Sequence, residues 1–100
     1  MENTVDTIVK GNLIEDLTVE LRVLRAKLGI SQERLSELAG ISRQTYSALE
    51  SKKRKMSWSI FLALITVFAF NDSSQKILID NGISERLKKY LEQDQLRAMP

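Results

Sequence analysis

One hundred residues, 43% of them hydrophobic, make one domain with a modest core and leave no room for a second. The chain has no Cys and no His, which excludes disulfides and zinc–thiolate sites and removes the commonest general base and metal ligand. Its net charge of +2 hides a division: −4 over residues 1–20, +6 over residues 21–55, and none over residues 56–100.

No enzyme, cofactor or metal site is expected from such a set. The glycines form no phosphate loop, and no base is at hand to activate a serine. The opening MENTVDTIVKGNL is acidic and lacks the basic start and apolar run of a secretion signal. The longest apolar stretch, Trp58 to Phe70, is broken by Ser59 and Thr66 and falls short of the roughly 20 residues a bilayer span needs. A soluble, cytoplasmic protein without membrane association is the expectation.

In chain order, residues 1–12 are expected to form an N-terminal segment. Asn12 with Glu15 has the pattern of a capping box, and Leu13, Leu17, Leu21, Leu24 and Leu28 then fall on one helical stripe that Gly29 stops. Ser31 is placed to cap a second helix with Leu35, Leu38 and Ala39 facing inward, ending at Gly40. Ser42 is placed to cap a third helix with Tyr46 and Leu49 on its inner side. Ser57 opens a fourth that runs to about Phe70. Asp72 with Gln75 opens a fifth helix that Asn81–Gly82 stops, and Ser84 caps a last one with Leu87, Tyr90 and Leu91 inward. No stretch alternates as a strand would. The fold expected is all-α and compact, with four to six helices in all, a helix-turn-helix domain over residues 13–70 and a helical extension over 71–100 that packs on the domain or on a partner.

The turn Gly40-Ile41-Ser42 supplies a residue tolerant of positive φ, an apolar plug and an N-cap, as a tight turn between crossed helices requires. It leaves the third helix standing proud, with Arg43, Gln44, Ser47 and Ala48 on its outer side. These are uncharged or basic and short enough for a close approach to a major groove about 12 Å wide. Arg43 can offer a bidentate fork to guanine and Gln44 to adenine. Just beyond the helix, Lys52, Lys53, Arg54 and Lys55 can reach phosphates, with Ser42 at the cap.

Residues 21–55, LRVLRAKLGISQERLSELAGISRQTYSALESKKRK, resemble the Cro and phage-repressor type of helix-turn-helix regulator. The resemblance extends over about residues 13–70. It implies a lambda-repressor-like domain, an ion pair between Arg25 and Glu50 bracing the first helix against the third, a phosphate contact from Gln32, and Arg43, Gln44, Thr45 and Ala48 facing DNA. Two positions depart from the family pattern. Ser36 stands where Ala is usual, its hydroxyl able to bond back to a carbonyl one turn earlier. Tyr46 replaces an aliphatic residue and implies a different lean of the third helix.

WSIFLALITVFAF is apolar nearly all round, so part of the fourth helix needs cover from the C-terminal helices or from a second subunit. A homodimer on a palindromic operator in double-stranded DNA is expected, since symmetric pairs and palindromes match. The expected function is sequence-specific, repressor-like regulation in a bacterium or phage. The alternative is an antitoxin or other protein-interaction module that engages a protein partner through its C-terminal helices and also binds its own operator.

Overall fold

The computed structural model describes residues 4–92. Six α-helices follow one another: α1 Thr4–Leu28, α2 Gln32–Ala39, α3 Arg43–Glu50, α4 Trp58–Ala69, α5 Asp72–Asp80 and α6 Ile83–Leu91. There is no strand among the described residues. The all-α fold class is therefore the one observed.

Local chemistry sets most helix ends. Ser31, Ser42 and Ser57 each accept a hydrogen bond from the N–H three residues on, at 3.0, 3.0 and 3.2 Å. Gly40 closes α2 in the left-handed region at φ 74°. Its N–H donates to the Glu37 carbonyl at 3.2 Å, and that of Ile41 donates to Ser36 at 3.0 Å, which leaves few orphan carbonyls at the turn. Ser36, nearly fully buried, donates its hydroxyl to the Glu33 carbonyl at 2.7 Å, so the departure from Ala costs no unpaired polar group.

Four local expectations are corrected. α1 starts at Thr4 rather than after a cap at Asn12, because Val9, one turn before Leu13, packs on the core and extends the leucine stripe backwards. That gain outweighs the cost of about 1 kcal/mol for Gly11 in a helix interior. Leu38 points outward, 48% exposed, since α2 buries only Leu35 and Ser36. α5 is capped by Asn71, not Asp72, through Oδ1 accepting from Ser73 and Ser74 N–H. α6 begins at Ile83 after left-handed Gly82, without a Ser84 cap; Asn81 Oδ1 takes the Ile83 N–H instead.

The core joins Leu13, Leu17, Leu21 and Leu24 of α1 to Leu35, Tyr46, Leu49, Met56, Phe61, Leu64, Phe68, Leu78, Ile83 and Leu87. α1 packs against α3, α4, α5 and α6, so it is the axis of the molecule. α4 buries Phe61, Leu64 and Phe68 and lies against α1, α2 and α5. Ser74 of α5 pins the end of α4 by donating to the Phe68 carbonyl at 2.6 Å. Arg86 of α6 grips Asp16 of α1 with two nitrogens, at 2.7 and 2.6 Å. Phe70, just past α4, stays 88% exposed, and Ile79 of α5 is also exposed. No single helix among the described residues is long and apolar enough to cross a membrane. The α4–α5 pair has the apolar length but bends by 120° and gives its inner side to the core.

Candidate nucleic-acid interface

α3 is short, and what holds it decides what it presents. Its last residue, Glu50, has a side chain only 3% exposed and gathers donors from two other helices. Arg25 donates through Nε to Oε2 at 3.0 Å and through Nη2 to Oε1 at 2.9 Å, a bidentate grip between α1 and α3. Its third nitrogen, Nη1, donates to the Ile30 carbonyl at 3.2 Å. Gln32 Nε2 donates to Glu50 Oε1 at 3.2 Å, and Arg22 Nε lies 3.4 Å from the same oxygen. The resemblance does not mark Arg22 as a partner, although its place one turn before Arg25 is a usable signal.

Burial alone would push the Glu50 carboxyl up. The Arg25 guanidinium, Tyr46 and Gln32 together outweigh that penalty and hold the group at about 2. The hydrogen bond to Glu50 in turn raises the Arg25 guanidinium above its ordinary value. Tyr46 is fully buried, and its phenol is raised by that burial first and by Glu50 second. Its buried hydroxyl lies near enough to Glu50 and Arg25 to feel both, yet makes no hydrogen bond of proper geometry. The ring is thus a core element of α3.

With Tyr46, Leu49 and Glu50 turned inward, the opposite face of α3 is bare. Arg43, Gln44, Ser47 and Ala48 share a shallow depression of about 360 Å³ with Ser51 and Lys53. Ser51 lies outside the set expected from sequence, yet it stands four residues after Ser47 on the same helical face. Thr45 does not line that depression. Its hydroxyl turns to the flank, where it accepts from Ser42 Oγ at 2.9 Å and from Arg54 Nη1 at 3.2 Å.

The basic block is not one patch. Lys52 takes a left-handed conformation, φ 64°, that turns the chain back over the end of α3. Lys53 falls beside the depression, whereas Lys52, Arg54 and Lys55 line a groove of about 560 Å³ against the face of α1 that carries Ile8, Glu15 and Val19. Ser42 is exposed at the N-cap, and Gln32, half-buried, has one amide hydrogen committed to Glu50. Residues of every expected contact class therefore lie on or around α3, with Arg25 and Glu50 behind it.

Residues 21–68 match the model of the helix-turn-helix family. No curated protein and no solved structure matches the chain.

Proposed function

Residues 21–68 belong to the helix-turn-helix family of the Cro and phage-repressor type, a DNA-binding family, and from that premise we propose that the protein is a sequence-specific regulator of transcription, repressor-like in action. The observation that carries the proposal is the bare face of α3, where Arg43, Gln44, Ser47 and Ala48 converge on one depression with Lys53 at its edge. Arg43 supplies a planar fork for guanine N7 and O6, and Gln44 supplies an amide that matches adenine N6 and N7. Small Ser47 and Ala48 allow the helix to approach the groove floor. Gln32, Ser42 and the loop 52–55 supply donors for the flanking phosphates. The Arg25–Glu50 pair keeps the helix from rocking while it reads.

The protein acts as a homodimer in this proposal, and its operator is palindromic. Exposed Phe70 and Ile79, on the α4–α5 side, support a second copy as the cover for that apolar surface. Selection of bound sequences from random duplex DNA tests both halves of the proposal. A palindromic consensus is the expected result, and enrichment of no sequence would overturn base reading. Sedimentation at micromolar concentration should show a dimer; a monomer at every concentration would remove the symmetric assembly. The same side chains also support a second reading, in which a different protein covers them and the chain is an antitoxin or similar adaptor. Co-purification of a stoichiometric partner from the native source, in place of self-association, would favour it.

A further inference from the structure

The loop after α3 holds one of its basic residues in a fixed relation to the helix. Left-handed Lys52 turns the chain, and the N–H groups of Lys53 and Arg54 both donate to the Ala48 carbonyl, at 2.9 and 3.2 Å. The backbone of Arg54 is thereby held against α3, and its guanidinium reaches nine residues back to donate to Thr45 Oγ1 at 3.2 Å. The same oxygen accepts from Ser42 Oγ at 2.9 Å, while Ser42 Oγ accepts from the Thr45 N–H at 3.0 Å. A hydroxyl has two acceptor sites and one donor. With both acceptor sites of Thr45 occupied, only its O–H remains to be offered outward. Thr45 is also absent from the depression that holds Arg43, Gln44, Ser47 and Ala48.

We propose that Arg54 and Thr45 form one composite anion site on the flank of α3, where the guanidinium and the donor-only hydroxyl together hold a single backbone phosphate of bound duplex DNA. The proposal rests on the DNA-binding reading and moves Thr45 from the bases to the backbone. Phosphate oxygens only accept, so they match a group that can only donate. Acceptors on base edges would match it as well, but Thr45 lies outside the depression through which α3 presents Arg43, Gln44, Ser47 and Ala48. The guanidinium keeps further N–H groups in a planar fork suited to two phosphate oxygens, and it brings the positive charge. Arg54 therefore both binds and positions: it contributes charge directly and fixes the polarity of its neighbour's hydroxyl.

The test compares Thr45→Val, Thr45→Ser, Arg54→Ala and the Thr45→Val/Arg54→Ala double variant. Each is titrated with the selected consensus duplex and with a duplex of unrelated sequence, over a range of salt. Thr45→Val should weaken binding to both duplexes by the same factor, about three- to tenfold, with base preference unchanged and Thr45→Ser restoring affinity. Arg54→Ala should lower the slope of log K against log[salt] by about 0.9, and Thr45→Val should cost nothing further in that background. A loss confined to the consensus duplex would make Thr45 a base reader and overturn the proposal. Strictly additive losses would overturn it too, as would a loss that follows a fall in thermal midpoint and that Thr45→Ser fails to restore. Equal binding of the wild type to both duplexes would fail the sequence-reading proposal alone, because a phosphate site acts on either duplex and its coupled loss would still appear.

Discussion

Burial pushes the Glu50 carboxyl up, and Arg25, Tyr46 and Gln32 together bring it down. Because the folded group sits at about 2 against an ordinary 4.5, its stabilisation is complete above the ordinary value and drains away as pH falls through that interval. Relative to Glu50→Gln, the wild type should lose up to about 3 kcal/mol between pH ~5 and ~2, measured by urea titration at a series of pH values. A gap that does not change with pH would show that the carboxylate adds no stability. Arg25→Ala strands that carboxylate and should cost about 3–5 kcal/mol, while Arg22→Ala, whose side chain is 73% exposed, should cost under about 1. Equal small losses in thermal denaturation would remove the brace. On the outer face, Gln44→Ala should weaken the preferred duplex by about 1–3 kcal/mol and unrelated DNA hardly at all, because the amide carries no charge. Paired titrations at one salt concentration decide this, and an equal loss on both would assign Gln44 to the fold.

Two turns bracket α3, and both need left-handed backbone, but only one has the residue for it. Gly40 meets the requirement at φ 74° with nothing near its missing Cβ, so Gly40→Ala should cost about 1 kcal/mol from conformation alone. Lys52 adopts φ 64° with a full side chain, and Lys52→Gly should therefore raise stability by roughly 0.5–1 kcal/mol. Differential scanning calorimetry should move the two midpoints in opposite directions; a fall for Lys52→Gly would mean that its side chain secures the loop. Element ends of this kind divide what the sequence discloses from what it hides. The caps at Ser31, Ser42 and Ser57 are legible because each is settled within three residues. The start of α1 is not, because Val9 takes its helical place from packing against residues distant in the chain. Leu38 misleads for the same reason: spacing puts it inward, whereas α2 meets its neighbours along Leu35 and Ser36. At the candidate interface, the shared face of Arg43, Gln44, Ser47 and Ala48 is readable from helical period, whereas the Arg54–Thr45 hydrogen bond depends on a backward turn at a lysine that no local rule announces.

Charge over the whole molecule is arranged as an acidic first fifth and a basic middle, the latter ending in the loop 52–55. Removing Lys52, Lys53, Arg54 and Lys55 together should weaken all duplexes nearly alike and flatten the salt dependence by about 0.9 in slope for each phosphate no longer neutralised. An unchanged slope would reduce the block to a solvated loop. The family match ends at residue 68, yet the molecule offers no seam there. α1 runs unbroken from Thr4 to Leu28 and lies against α3 as well as against α5 and α6, with Arg25 clamped at one station and Asp16 at another. α3 and the last helix, α6, are thus both fastened to α1. Amide hydrogens in α3 and α6 should exchange at one common rate set by global opening, without a separate early melting of the C-terminal helices. A chain cut after Phe70 would expose the side of α1 that α5 and α6 now cover and lose its cooperativity along with its fold.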